Sequence, residues 1–390
     1  MIGEVKGFDR MKRELSKIGE LATYVNGYAF KPSDWSLKGL PIIRIQDLTG
    51  NDYQTNYYEG TLDERYKIKK GDLLISWSAS IGIYEWDKED AWLNQHIFKV
   101  VFDKDVVIDK KYFQYAVGNA LQKVSGLVHG STMKHLTKGV FDGIQVPLYS
   151  IGNQQEIVQR LETIQRSIEL AEREKQQLDA LVKSRFIEMF GDPNEMDKWP
   201  CRKVKDVADV TVGLVIKPTR FYTDDIKNGI KAFRSLNVRE MRVNDSDWVY
   251  FSKEGNDQNK KSQLQKGDVL IVRSGYPGTS CVVTDDYEGC NAIDIIIARP
   301  KQDIINPYYL CAFNNYPHGM NQILHGTGGA AQKHFNVGAY NNVTIPLPPK
   351  EEQNKFVEFM QQADKSKSVL QKLLEKQELL RAALMHEYFG

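Results

Sequence analysis

The chain has 390 residues, with 52 Lys and Arg against 51 Asp and Glu, a formal net charge of +1 at pH 7. Residues 1–150 carry 20 basic and 19 acidic residues and residues 192–350 carry 20 and 18, so neither half could hold a polyanion by bulk field alone. The composition, 41% hydrophobic and 26% charged, excludes a disordered or fibrous chain; with no apolar run of spanning length and no apolar stretch after Met1, neither a membrane span nor a secretory signal is expected.

The elements come in a fixed order, twice. Gly27-Tyr28-Ala29-Phe30-Lys31-Pro32 leads to Gly39-Leu40-Pro41-Ile42-Ile43-Arg44. Lys70-Gly71-Asp72-Leu73-Leu74-Ile75 follows, a turn and then a short apolar run that reads as a buried strand over Asp72–Ser76. His96–Phe102 alternates loosely and reads as another strand, and Lys110–Val117 as a short helix. His129-Gly130-Ser131 and Val146-Pro147-Leu148 complete the half, with Pro147 expected to end its strand. The second copy runs Gly213–Pro218, Gly229–Arg234, Lys266–Ile271, Ala292–Ile297, Pro307–Phe313, His325-Gly326-Thr327 and Ile345-Pro346-Leu347. The separation between copies grows from 186 residues (27 to 213) to 199 (191 to 390), which places insertions in surface loops of the second copy. A half that repeats this way is a mixed, mostly-β domain.

Each half then changes period. Ile157, Leu161, Ile164, Ile168, Ala171, Leu178 and Val182 fall at spacings of three and four, broken at Lys175. Phe359, Ala363, Leu370, Leu373, Leu380 and Leu384 do the same in the second copy, and both stretches end in Phe-Gly. No Gly or Pro interrupts residues 154–190 or 353–389, so each predicts a helix of about 36 residues, roughly 54 Å long at 1.5 Å per residue. Each helix could pack back on its own domain, but one so long overhangs a 150-residue globule, and the nearest partner for the overhang is the other helix. Leu170, Leu181, Phe186, Met189 and Phe190, off the main seam, suggest a further protein surface. The boundaries read from this are a first domain at 1–150, a helix at 151–191, a second domain at 192–350 and a helix at 351–390.

Catalytic motifs are missing. There is no phosphate-binding loop, since Gly326-Thr327-Gly328-Gly329-Ala330 lacks the spacing and the lysine. There is no Asn/Asp-Pro-Pro-Tyr element, no His-Glu-x-x-His and no Gly-x-Ser-x-Gly. Asp103, Asp109 and Lys111 form only a loose nuclease-like set. Cys201, Cys281, Cys290 and Cys311 lack metal-ligand or disulfide spacing and read as reduced, core-filling residues.

Three recurring loops supply candidate contact residues. Arg44 and Arg234 could form structural ion pairs or read guanine or phosphate through the guanidinium fork. Trp77-Ser78-Ala79-Ser80-Ile81-Gly82 and Arg273-Ser274-Gly275-Tyr276-Pro277-Gly278 are tight turns or close-approach loops. His129, Ser131, Thr132, Lys134 and His135, with His325, Thr327, Lys333 and His334, form either solvated loops or phosphate-holding ones. Lys31 and Lys217 occupy equivalent places. The contact candidates are therefore Lys31, Arg44, Trp77, Ser78, His129, Ser131, Thr132, Lys134, His135, Lys217, Arg234, Arg273, Ser274, Tyr276, His325, Thr327, Lys333 and His334, with no catalytic or metal site.

Three features together resemble the specificity subunit of type I restriction–modification systems: Lys-Gly-Asp-(Leu/Val)-Leu-Ile, the Val/Ile-Pro-Leu border ahead of Gln154 and Gln353, and the ending Leu181-Val182-Lys183-Ser184-Arg185-Phe186-Ile187-Glu188-Met189-Phe190-Gly191-Asp192. The resemblance covers essentially the whole chain; Ser150-Ile151-Gly152 departs from the more family-like Pro348-Pro349. It implies an α+β fold: two mostly-β target recognition domains, each followed by a long helix, the helices pairing as an antiparallel coiled coil with a pseudo-two-fold. It further implies a non-enzymatic, cytoplasmic chain that binds double-stranded DNA at a bipartite target. Two modification (methyltransferase) subunits would dock on the helices, and ATP-dependent restriction subunits would join the full complex. No cofactor is expected in this chain; S-adenosylmethionine, ATP and Mg would be bound by partners, and no membrane is involved. The alternative is a non-enzymatic tandem-domain scaffold that binds protein.

Overall fold

The Lys-Gly-Asp element is built the same way in both copies. In the computed structural model Gly71 and Gly267 take φ of +94° and +87°, a left-handed conformation that glycine adopts without steric cost. The aspartate beside each closes the turn. Asp72 accepts from the Lys69 N–H at 2.8 Å and pairs with Lys99 at 2.9 Å; Asp268 accepts from the Gln265 N–H at 2.8 Å and takes two bonds of 2.8 Å from Arg299. The four residues that follow are buried throughout, as a continuous hydrophobic run in a central strand requires.

The structure describes residues 13–50, 54–78, 80–128, 137–325 and 335–390. They form two units. Unit 1 holds the chain up to Ala171 together with Leu373–Gly390, and unit 2 holds Glu172–Lys372. In unit 1 the elements are β1 (Glu14–Lys17), α1 (Ile18–Leu21), β2 (Thr23–Asn26), β3 (Leu40–Ile43), α2 (Ile45–Thr49), β4 (Tyr57–Tyr58), β5 (Lys67–Ile68), β6 (Leu73–Ser76), β7 (Gly82–Glu85), β8 (Ala91–Leu93), β9 (Ile97–Val101), α3 (Lys110–Val128), α4 (Lys138–Asp142), β10 (Gln145–Leu148) and the first part of α5 (Ile151–Phe190). Unit 2 continues with β11 (Cys201–Lys203), α6 (Val204–Val207), β12 (Ala208–Val212), β13 (Ile230–Phe233), β14 (Val238–Arg239), β15 (Arg242–Val243), β16 (Val249–Phe251), α7 (Lys253–Gln258), β17 (Val269–Val272), β18 (Ser280–Val282), β19 (Asn291–Ala292), β20 (Ile295–Pro300), α8 (Pro307–Asn315), α9 (Pro317–His325), α10 (Val337–Asn341), β21 (Thr344–Pro346) and the first part of α11 (Lys350–Phe389). The sheets correspond. The antiparallel order β2-β9-β6-β7 recurs as β12-β20-β17-β18, and β4-β3-β8-β5 as β16-β13-β19, with β3–β8 and β13–β19 both parallel. The fold is α+β.

Several elements differ from their sequence patterns. The helix expected at 110–117 runs on to Val128. Its counterpart stops at Asn315 and restarts as α9, because Pro317 cannot donate to the preceding turn but suits a first helical position. Pro147 lies inside β10 and does not end it; in a two-stranded pair with β1 it faces Leu15 without interrupting an inner ladder. The expected strand Ala292–Ile297 is cut by Asp294 at φ +50°, so β19 and β20 belong to different sheets. Of the four cysteines, Cys201 is exposed on the short strand β11 and not core-filling. The other three are buried, and burial pushes Cys290 up to about 11 and Cys311 up to about 12.

Each long helix is anchored at its start by a buried glutamine. Gln154 accepts from the Asp109 N–H at 2.8 Å and donates to Tyr149 O at 2.8 Å; Gln353 accepts from the Asn306 N–H at 2.8 Å and donates to Pro348 O at 2.9 Å. The C-terminal ends are anchored differently. In unit 2 the α5 residues Phe186 and Phe190, both 0% exposed, stack among Tyr309, Tyr316, His318 and the α11 residue Phe356. In unit 1 the α11 residues Tyr388 and Phe389 enter the core with Tyr112, Ile157 and Leu161, and the Phe389 carbonyl accepts from Asn119 at 2.9 Å and Lys123 at 2.7 Å. Each helix therefore starts on its own domain and ends in the core that the other copy begins.

Within each unit the helix segments run antiparallel. Lys175 donates to Gln371 at 2.7 Å, Asp179 pairs with Lys367 at 2.8 Å and Phe186 meets Phe356 in unit 2; Arg160 donates to the Tyr388 hydroxyl at 3.2 Å in unit 1. The α5 seam follows the expected residues as far as Val182, but Phe186 and Phe190, expected on an outer protein surface, are buried. The α11 seam follows its expected residues only in part: Ala363 is buried, but Leu373 and Leu380 are 38% and 47% exposed, and Phe356, Met360 and Leu374 are buried instead. A lysine explains the shift. Lys367 occupies the seam between Ala363 and Leu370, held by Asp179 and Asp364, so a pattern built on apolar residues alone slips off the true phase. Among the described residues no helix is long and apolar enough to cross a membrane.

Two predictions follow from this packing. Phe186→Ala and Phe389→Ala should each cost about 3–5 kcal/mol in urea unfolding, against roughly 0.5 kcal/mol or less for the exposed Leu380→Ala; equal effects would contradict the burial of the helix ends. His318 gives the second. It is 1% exposed, its Nε2–H donates to Gly191 O at 2.8 Å, and burial holds its pKa below the ordinary value. The unfolded chain then binds the proton more readily than the folded one. Stability should be full above about pH 6.5 and fall as the pH drops below it. His318→Gln should flatten that part of the pH profile of the unfolding midpoint.

Candidate nucleic-acid interface

Gly27 and Gly213 mark where the chain leaves one sheet for the other. Their N–H groups donate to Ile97 O at 3.1 Å and Ile295 O at 2.8 Å, and the next N–H groups donate to Leu93 O and Ala292 O, each at 2.8 Å. A Cβ on Gly27 would sit 2.0 Å from the Asn94 carbonyl oxygen, and one on Gly213 would sit 2.4 Å from that of Ala292. The strand facing each crossing is itself broken by a non-glycine residue with left-handed φ, His96 at +76° and Asp294 at +50°. Backbone held in this sparsely populated region in both copies marks a constrained place in each sheet.

The broken edge gathers the recurring loops. In unit 1 the Trp77 N–H donates to His96 O at 3.4 Å, and its indole lies 5.0 Å from the His96 ring. In unit 2 the same place is filled by an ion pair: Arg273 donates to Asp294, and its Nε donates to Phe335 O at 3.1 Å. Phe335 directly follows residues 326–334. The Asp294 N–H donates to Leu214 O at 3.2 Å and the Ile293 N–H to Phe233 O at 2.8 Å, which brings the loops leading to Lys217 and Arg234 to this edge. Arg44 sits in the matching position of unit 1, its guanidinium 4.7 Å from the Trp35 ring, and shares a cavity of about 420 Å³ with Gln46, Ser80, Asn94, Gln95 and His96.

The candidate side chains differ in availability. Lys31 is exposed and opens a tight turn, its N–H bonded to Asp34 at 2.7 Å; Lys217, also exposed, opens the equivalent turn at φ +45°. Ser78 is buried, its carbonyl accepting from the Ser76 hydroxyl at 3.0 Å, while Ser274 is half-buried. Tyr276 is 83% exposed between left-handed Gly275 and Gly278. Arg234 donates to the Asp247 carbonyl, and the Arg273 guanidinium is engaged as described, so both have structural duties. His325 is exposed at the end of α9. His129, Ser131, Thr132, Lys134, His135, Thr327, Lys333 and His334 lie outside the described residues. Sequence reasoning missed His96 and Asp294, and with them Gln46, Asn94 and Gln95. The available signal was a polar interruption at the same point of an apolar run in both copies. Among the described residues no group of three or more His, Cys, Asp or Glu side chains could hold a metal ion.

Residues 12–180 and 196–381, one stretch in each copy, match the family described as the type I restriction modification DNA specificity domain. The chain belongs to this family. The EcoBI specificity subunit of Escherichia coli is 26% identical over 369 residues, covering 88% of this chain and 77% of that protein. The MjaVIII specificity subunit of Methanocaldococcus jannaschii is 21% identical over 401 residues, covering 96% and 91%. The fold is shared with the type I restriction–modification S subunit from M. genitalium (TM-score 0.57, 13% identity, 99% and 98% covered). It is also shared with a chain from a structural study of assembly and conformational transition in the type I system (TM-score 0.64, 16% identity, 97% of each chain covered). As a type I specificity subunit the chain is a non-catalytic component, and the broken edges are its candidate contact surface.

If the crossing glycines set this edge, Gly213→Ala should destabilise unit 2 by at least about 3 kcal/mol. Gly289→Ala, at φ +79° with open space around it, should cost only about 1–2 kcal/mol. Chemical denaturation of both variants checks this; similar losses would mean that backbone approach at Gly213 is not limiting.

Proposed function

We propose that this specificity subunit selects a bipartite duplex DNA sequence, one half-site for each target recognition domain, and recruits the subunits that carry out chemistry. The recognition domains are assigned to residues 1–150 and 192–350, and the helices to residues 151–191 and 351–390. The observation that carries the reading is one sheet edge, built twice on the same backbone plan, with different side chains in the two copies: Trp77 and His96 in one, Arg273 and Asp294 in the other. A common scaffold with exchanged contact groups suits two half-sites of different sequence. The DNA contacts would come from the exposed Lys31, Lys217 and Tyr276, from the arginines of the edge, and from the loops at 129–135 and 325–334. With the net charge near zero, specific contacts and basic partner subunits must supply most of the affinity.

The helices would dock two modification subunits. In unit 2, Leu181 (51% exposed) and Val369 (68%) flank an apolar groove of about 540 Å³ between α5 and α11, and in unit 1 Leu170 of α5 is 55% exposed. Those subunits would bind S-adenosylmethionine, and restriction subunits would bring ATP and Mg, all in the cytoplasm. The near-neutral charge is equally compatible with a tandem-domain scaffold that binds only protein. Protection of one bipartite sequence by the chain copurified with its methyltransferase subunit separates the two readings. Replacing residues 203–345 by those of another family member should change one half-site and leave the other intact, as read by methylome sequencing. A change in both half-sites would overturn the domain assignment.

A further inference from the structure

Gln46 stands in the first turn of α2, where β3 ends, and Asn94-Gln95-His96 links β8 to β9. Both segments line the cavity beside Arg44 in unit 1. The linker is held from its backbone. The Gln95 N–H donates to Tyr28 O at 2.9 Å and to the Asn94 side-chain oxygen at 2.9 Å, and left-handed His96 fixes the next step. Gln46 and Gln95 are themselves exposed, and their side-chain amides take no partner among the described residues. Two amides, presented on fixed backbone and bonded to nothing among the described residues, face outward.

The second copy keeps its fold without them. Groups that hold the fold recur in both units: Gln154 with Gln353, Tyr112 donating to Pro147 O with Tyr309 donating to Pro346 O, and Asp72 with Asp268. The amide set does not recur. Leu236 stands where Gln46 does, and Ile293, 9% exposed and packed in the core, replaces Asn94. The linker of unit 2 is one residue shorter, with Ile293-Asp294 in place of Asn94-Gln95-His96. The difference is therefore confined to the edge where the two copies must diverge if they read different sequences.

We propose that Gln46 and Gln95 together read one A·T pair in the half-site of unit 1, with Asn94 as a positioning residue that holds the Gln95 backbone. One carboxamide offers a donor and an acceptor side by side, which matches the N7 acceptor and N6 donor that adenine presents in the major groove, and the second can donate to O4 of the paired thymine. The inference rests on the bipartite-DNA reading above and adds the residues and the base pair. Unit 2, with Leu236 and Ile293, lacks this pair of amides.

The test uses the full chain assembled with its methyltransferase subunits. Wild type, Gln46→Ala, Gln95→Ala and the control Lys38→Ala are compared by methylome sequencing and by competition binding to duplexes substituted at each position. Gln46→Ala and Gln95→Ala should each lose roughly 10-fold in discrimination at one A·T pair of one half-site, while the other half-site and the control keep wild-type preference. Placing 7-deazaadenine at that pair should weaken wild type and leave a variant carrying both Gln46→Ala and Gln95→Ala unchanged. An unaltered motif in both variants, or a uniform loss of affinity across all sequences, would overturn the assignment, the latter marking phosphate contacts. A wild-type complex that protects no bipartite sequence would defeat the DNA reading itself, an outcome distinct from either.

Discussion

Everything in this fold depends on burying the two helix ends. Phe186 and Phe190 have no exposed surface, and Tyr388 and Phe389 almost none. Burying one such ring is worth roughly 1.5–3 kcal/mol relative to leaving it in water. Neither core is complete without a segment of long helix that the other copy's sequence pattern brings to it. Unit 1 needs Leu373–Gly390 from the far end of the chain, and unit 2 takes in the part of α5 that begins at Glu172. Each unit therefore carries a paired, antiparallel helical segment as part of its own stability. A surface on those segments is as firmly held as the cores in which they end.

The skeleton was legible in the sequence because its constraints are local. A glycine at φ +94° or +87° followed by an aspartate that closes the turn leaves the same Lys-Gly-Asp signature twice, and the buried run after it has no other reading. The helices were legible from their period, yet the phase of α11 was not. Lys367 sits in the seam because Asp179, distant in sequence, neutralises it, and no local pattern announces such a partner. The same limit hid the exposure of Cys201, which depends on what the rest of the fold places beside it.

The candidate interface was half legible. Recurring polar loops pointed to Arg44, Trp77, Arg234 and Arg273, and the structure brings the surroundings of these residues to one edge in each unit. It also shows that two of them are occupied: Arg273 holds Asp294 and the Phe335 carbonyl, and Arg234 holds a backbone carbonyl. Burial of Ser78 could not be read from its hydroxyl. His96 and Asp294 were hidden inside runs that looked like continuous strands. The hydrogen bonds of Gly27 and Gly213 to one sheet, and of Tyr28 and Leu214 to the next, show where the strand breaks.

That break also explains how the two copies can differ without loss of fold. A residue added within a paired strand would flip every later side chain to the opposite face. Between β8 and β9, and between β19 and β20, the chain is already changing sheets, and a left-handed residue absorbs the step in register. Unit 1 carries one residue more here than unit 2, yet Ile97 and Ile295 still accept the same glycine N–H. Exchanges at this point alter the surface that meets a ligand and leave the pairing of β9 with β6, and of β20 with β17, intact. A sheet edge with this tolerance can vary what it reads while both halves keep one architecture.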